Sequence, residues 1–133
     1  MHTCRLVDSD GGTLVIEAES RTAHIIVAIK LLHTVVWCFF ASCILGVPIA
    51  AGLHMFGFAA FLAGLVLLEC LVLVLNHWRC PITDLAAQYA PETSANFDIY
   101  LPNWLARHNK TIFGAIFVAG GLYALAQWLM FKP

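Results

Sequence analysis

This sequence is poor in charge. Asp, Glu, Lys and Arg make up 11% of its 133 residues, where an average soluble domain carries about 25%, and residues 31–68 contain none at all. A formal net charge of −1 excludes the basic footprint that nucleic-acid binding needs, so no nucleic-acid partner is expected. Short chemical motifs are missing as well. There is no paired Cys-x-x-Cys zinc framework, no Cys-x-x-Cys-His haem attachment, no phosphate-binding glycine loop and no zinc-protease helix. No nucleophile can be matched with a base, so catalysis by this chain alone is not expected, and no cofactor is required.

What fills the chain instead is apolar: 61% of its residues are hydrophobic. A small soluble domain has too much surface to hide that excess, so the lipid bilayer is the expected solvent. A span needs about 20 mainly apolar residues rising 1.5 Å each. The charge-free run is too long for one span and is divided near Pro48 and Gly52, both turn formers. The expected fold is an all-α membrane protein with three transmembrane helices at 25–47, 53–75 and 111–131. A polar extension, 1–24, precedes them, with a small turn expected around Gly11 and Gly12. An amphipathic interfacial loop, 76–110, joins the second span to the third.

Arg5, Arg21, Lys30, Arg79, Arg107 and Lys110 fall on the side shared by the N-terminus and the long loop, against Lys132 alone opposite. Basic flanks stay in the cytoplasm. The N-terminus and the loop are therefore expected inside, and the C-terminus outside. The five cysteines, Cys4, Cys38, Cys43, Cys70 and Cys80, are read as free thiols, the loop and tail members facing a reducing compartment.

Within the loop, Ile82, Leu85, Ala86 and Tyr89 recur at helical spacing behind Pro81, with Pro91 as a stop. Leu101, Trp104, Leu105 and His108 repeat that spacing behind Pro102. Two surface helices are expected, 81–90 and 101–108, with a turn-rich linker at 91–96, and the second is left open to run straight into the third span. Their apolar residues would face lipid or a partner, and Asp84, Asp98 and Arg107 would be outward docking charges.

The run Cys80-Pro81-Ile82-Thr83, directly after the second span and followed by Asp84, resembles the Cys-Pro-Leu-Thr box of a family of small bacterial inner-membrane proteins of unknown function. Ile82 stands where that family has Leu. The resemblance covers roughly residues 25–131, and His33 in the first helix and Glu69 in the second are the other positions it carries over. It implies three spans and a bacterial inner-membrane location, and it supplies no activity.

Charges inside a span cost about 2.5–3.5 kcal/mol each and usually find a partner. Lys30 and Glu69 lie at matching depth in an antiparallel hairpin, and His33 shares the Lys30 face one turn deeper. An intramembrane polar set of Lys30, His33 and Glu69 is expected, locking the helices or forming a protonatable site. His24, His77, Cys80 and His108 are weak metal candidates at the loop rim, with His77 and Cys80 spaced to share a helical face. His33 and His54 sit toward opposite ends of the hairpin, too far apart to share a haem. Small-residue pairs such as Ala59 with Ala63 and Gly120 with Ala124 permit close helix packing.

The function expected from these residues is that of a non-catalytic accessory or assembly subunit packing against other membrane protein subunits, with Tyr89, Leu101, Trp104 and Arg107 at the docking face. The alternatives are a small redox or proton-linked component binding haem or quinone, and an oligomeric small-molecule transporter.

Overall fold

The computed structural model of the chain describes residues 9–89 and 98–132, and among these it is all-helical, with no strand. The helices are α1 (Ser9–Gly52), α2 (Phe56–Leu75), α3 (Pro81–Ala87) and α4 (Asn103–Phe131). Three of them, α1, α2 and α4, are long and apolar enough to cross a membrane. Large apolar side chains such as Ile49, Phe61, Leu68 and Leu122 point outward, as a lipid-facing surface requires.

α1 is the central element. α2 and α4 both pack along it and touch each other far less. Its 44 residues would span about 66 Å at 1.5 Å per residue, more than twice a hydrocarbon core of about 30 Å. The helix runs through Gly11 and Gly12, where a turn was expected, and its buried contacts begin only at Ile29. Hydroxyls inside it bond back to their own helix: Thr34 Oγ1 donates to Lys30 O at 2.7 Å and Ser42 Oγ to Cys38 O at 2.7 Å. This is the local back-bond that Ser and Thr hydroxyls make within a helix.

The break between the first two spans is at 53–55, not at 48–52. Pro48 lies inside α1, although an interior proline removes a hydrogen bond and costs about 3 kcal/mol. Its ring is seated against Gly120 of α4, where a Cβ would stand 3.1 Å from Pro48 Cδ. The turn itself is a Schellman closure: Met55 N–H donates to Ala50 O at 2.9 Å and His54 N–H to Ala51 O at 3.0 Å. His54 takes the left-handed position, with φ 61°, that glycine usually fills. Its ring lies between Phe56 and the end of α4, 4.4 Å from the Phe131 ring centroid.

Two clusters hold the bundle. Near the turn, Ala50, Ala51 and Ala59 are buried with Ala124 packed on them. Toward the middle, Cys43, Ile44 and Val66 are covered by larger residues including Phe40, Leu62, Phe113 and Phe117. Of the small-residue pairs expected, Ala59 and the Gly120–Ala124 pair face α1, whereas Ala60, Gly64, Ala115 and Ala119 are exposed.

In the loop, the first surface helix ends at Ala87 rather than at residue 90, its last turn tightening as Gln88 N–H donates to Leu85 O and Tyr89 N–H to Ala86 O. The second takes the continuous form left open for it: α4 starts at Asn103, not at 101, and runs unbroken into the third span. Residues 91–96, expected as a linker, lie outside the described residues.

Candidate functional site

At the end of the bundle away from the His54 turn, the three long helices diverge around a cavity of about 560 Å³. α1 contributes His33, Trp37, Phe40 and Ile44, α2 contributes Val66, Glu69 and Leu73, and α4 contributes Arg107, Lys110, Phe113 and Phe117. The α2–α3 connection closes the rim with Trp78, Arg79 and Cys80, α3 with Thr83, and the segment before α4 with Asp98 and Ile99. The deeper wall is thus aromatic and aliphatic, and the ionisable groups gather toward the connections. Trp37 ties α1 to α4 in the wall: its Nε1–H donates to Asn109 Oδ1 at 2.8 Å, and its ring meets Phe113 edge-on at 5.3 Å.

Residues 98–100 are strapped onto α1. Tyr100 N–H donates to Thr34 Oγ1 at 3.1 Å, and Lys30 Nζ lies 5.6 Å from the Tyr100 ring centroid, a cation over an aromatic face. Asp98 is 3% exposed. His33 Nδ1 stands 2.9 Å from its Oδ2 and 3.2 Å from its carbonyl oxygen. Both partners are acceptors when the carboxyl is ionised, so Nδ1 carries a proton and donates. Thr83 Oγ1 donates to the same Oδ2. Burial works to raise the Asp98 carboxyl, but the hydrogen bonds from His33 and Thr83, helped by the charge of protonated His33, outweigh it. The group ends below the ordinary carboxylate value.

With Nδ1 committed to Asp98, Nε2 is the ring nitrogen left for another partner. Cys80 lines the same cavity as His33. The hydrogen-bonded pair of Asp98 and His33 and the Cys80 thiol therefore belong to one cavity rim. The sequence pattern gave no pairing of a nucleophile with a base; here a thiol and an imidazole on different elements are brought together.

The connection that delivers Cys80 is strained. His77 and Trp78 have φ of 55° and 63°, a left-handed conformation costing roughly 1–2 kcal/mol per residue. Trp78 N–H donates to Leu73 O at 2.7 Å, and Lys110 Nζ donates to Trp78 O. Asn76 Nδ2–H₂ donates to Arg79 O and to Asp84 Oδ2, both at 2.8 Å. Such strain persists where neighbours over-determine it. Cys80 then precedes Pro81 in extended backbone, with φ −69° and ψ 134°, as a residue before proline prefers.

Several expected roles change. His33 and Glu69 do line one cavity, but the set of Lys30, His33 and Glu69 is not formed: His33 is held by Asp98, and Lys30 lies over Tyr100. Lys30 and His33 share a face, as spacing required, and that face looks at the 98–100 strap. Asp98, expected as an outward docking charge, is buried. Asp84 pairs locally with Arg79 at 3.5 Å and with Asn76. Among the other docking candidates, Trp104 is exposed, Tyr89 and Leu85 are moderately so, and Leu101 is half-buried.

His77 and Cys80 do not share a helical face, because both lie in the connection between α2 and α3. His24 and His77 are exposed, and His108 Nδ1 lies 2.9 Å from Trp104 O of its own helix. Among the described residues no three His, Cys, Asp or Glu side chains gather as a metal site. Cys38, Cys43, Cys70 and Cys80 are free thiols, and Cys4 lies outside the described residues. Asp98 is the site residue that the sequence did not single out for the interior, although the apolar Ile99 beside it is buried with it.

Comparison with protein families, with characterised proteins and with solved structures finds no match for this chain.

Proposed function

We propose that the chain is an integral membrane protein that holds one amphipathic molecule in the cleft between α2 and α4. The single observation that carries this is the cavity of about 560 Å³, within the range of about 300–1,000 Å³ typical of ligand sites, with an apolar depth and a polar rim. A hydrocarbon or isoprenoid tail suits Phe40, Ile44, Val66, Leu73, Phe113 and Phe117. A polar head suits the rim, where Arg79, Arg107 and Lys110 offer cations. A quinone meets the same description and is distinguished by the absorbance of the extracted ligand.

In this reading the rim is cytoplasmic, as the six-to-one distribution of Lys and Arg favours, and the membrane is a bacterial inner membrane. A docking-subunit role draws less support, because Asp98 and Asp84 are engaged within the chain. The test is native mass spectrometry of the detergent-purified protein. One bound amphiphile per chain is expected. Gly114 lines the cleft, and a Cβ there meets nothing within 4 Å, so Gly114→Leu should fold and lose the ligand. A Gly114→Leu protein that retains it would refute the assignment.

A further inference from the structure

We propose that the head held at this rim is the phosphate monoester of a lipid, clasped by Arg79, Arg107 and Lys110. The proposal rests on the cleft holding a chain and names the head that the chain carries. Charge at the mouth is lopsided. Arg107 and Lys110 stand three residues apart on one face of α4, and Arg79 joins them from the α2–α3 connection; all three line the cavity. Of the two carboxyls in the lining, Asp98 is taken up by His33 and Thr83. Glu69 lies deeper, inside α2 and about 9 Å before its end at Leu75. Asp84 engages Arg79 alone, at 3.5 Å. Among the described residues Arg107 has no hydrogen bond or ion pair. The anion that balances this mouth therefore comes with the ligand.

A phosphate monoester carries about −1.5 to −2 charge at neutral pH and three strong acceptor oxygens, one for each side chain. The two guanidinium forks suit it as paired donors and the ammonium as a point charge. A carboxylate head offers two oxygens and one charge, and a choline phosphodiester brings its own cation to the rim, so neither answers three cations as fully. The strained connection serves the same clasp. His77 and Trp78, with φ of 55° and 63°, turn the chain so that both Trp78 and Arg79 line the mouth, at the energetic cost that functional sites tolerate. Asn76 Nδ2 donates to Arg79 O at 2.8 Å, and Lys110 Nζ donates to Trp78 O, which ties a cation of α4 to the turn that carries Arg79. Trp78 is 61% exposed, an indole of the kind that sits at headgroup level. In the depth, Glu69 offers an anionic head no cation, so the head stays at the mouth and the tail enters.

The test titrates the full chain, in a non-ionic detergent, with three lipids that share an oleoyl chain: lysophosphatidic acid, lysophosphatidylcholine and monoolein, with binding read by native mass spectrometry. Lysophosphatidic acid should bind at least about tenfold more tightly than either of the others, the factor that one charge-assisted hydrogen bond supplies. Arg107→Gln and Lys110→Gln should each lower its affinity by about tenfold while still taking up monoolein, which shows that the variants are folded. Arg107→Lys, which keeps the charge, should lose less. Gly114→Leu should lose all three lipids alike. Equal binding of lysophosphatidic acid and monoolein by the wild type overturns the anionic head and leaves the chain-holding reading in place. Lysophosphatidylcholine binding as tightly as lysophosphatidic acid overturns the monoester assignment, and wild-type affinity in both glutamine variants overturns the residue assignment. Binding of none of the three lipids removes the proposal together with the chain-holding reading. Inorganic phosphate is the remaining arm: it should not displace lysophosphatidic acid, and displacement at equal concentration would assign the cations to free phosphate instead of a lipid.

Discussion

The two ends of the bundle solve opposite problems with the same three helices. At the Pro48 end, Ala50, Ala51 and Ala59 are buried against one another, Ala124 packs on them, and Gly120 admits the Pro48 ring. Small side chains bring the backbones close, and dispersion contacts hold helices where lipid offers no hydrophobic drive. At the His33 end the contact residues are Trp37, Phe40, Phe113 and Phe117, too bulky for such approach, and α2 and α4 part around the cavity. Cohesion there comes from polar links: Trp37 to Asn109, His33 to Asp98, Thr83 to Asp98, Tyr100 to Thr34 and Lys110 to Trp78. One end is closed by shape, the other held open and pinned by hydrogen bonds.

The largest effect that would break this contrast is at the pinned end. His33→Ala leaves Asp98, 3% exposed, without its imidazole, and removing one partner of a buried pair costs about 3–5 kcal/mol. Unfolding in mixed micelles should register that loss. A change below 1 kcal/mol, by the same principle, would mean that the strap is not held by this pair. Next in size is the closed end. Gly120→Leu must displace the Pro48 ring, already 3.1 Å from an added Cβ, and overpacking costs about 1–3 kcal/mol. The matched change at the open end, Gly114→Leu, enters unoccupied space and should stay within about 0.5 kcal/mol. Equal destabilisation of the two would erase the distinction between shape and pinning.

Acid sharpens the comparison, with a smaller effect. Asp98 is held below its ordinary carboxylate value, so the folded state binds this proton less readily than the unfolded chain. The stability it contributes is fully present above the unfolded value of about 3.9 and is lost as pH falls through the lower folded value. Hydrogen exchange at residues 98–100 should therefore accelerate below that range, beyond the intrinsic pH trend, while 50–59 at the closed end keep their protection. Asp98→Asn should abolish this acid response at the strap. Its persistence in the variant would assign the effect to another group.

The long elements were legible because a charge-free run of span length is a local property of the chain. Pro81 at the head of α3, and helical spacing after Pro102, were legible for the same reason. The turn at 53–55 was not, because His54 in a left-handed conformation carries no glycine signal, and Pro48 drew the break to itself. The site was half legible. Matching depths paired Lys30 with Glu69 and set His33 one turn deeper, and of these His33 and Glu69 line the cavity. Depth along a helix does not fix what comes in from outside the pair, however, and the partner that won, Asp98, is 65 residues from His33. The strap made by Thr34, Lys30 and Tyr100, with Thr83 on the carboxylate, holds it there. Cys80 reaches the cavity through two left-handed residues, His77 and Trp78, which helical spacing assigns to other positions.

The smallest effect is expected at the outer edge of the pinned end. Arg79 and Asp84 lie 3.5 Å apart with side chains 66% and 41% exposed, so water and salt screen the pair and it should contribute no more than about 1 kcal/mol. Asp84 has a second role that Arg79 lacks, since it accepts a hydrogen bond from Asn76, the residue that also donates to Arg79 O and braces the strained turn. Arg79→Met should therefore leave stability nearly unchanged, whereas Asp84→Ala should loosen the turn that carries Cys80. The two separate in a maleimide-labelling experiment on Cys80: a rate near wild type is expected for Arg79→Met and a faster one for Asp84→Ala. Equal rates in both variants would mean that Asn76 holds the turn through the Arg79 carbonyl alone. Pinning at this end would then reside in the backbone bonds of residues 73–79 and the Lys110 contact, with no share from Asp84.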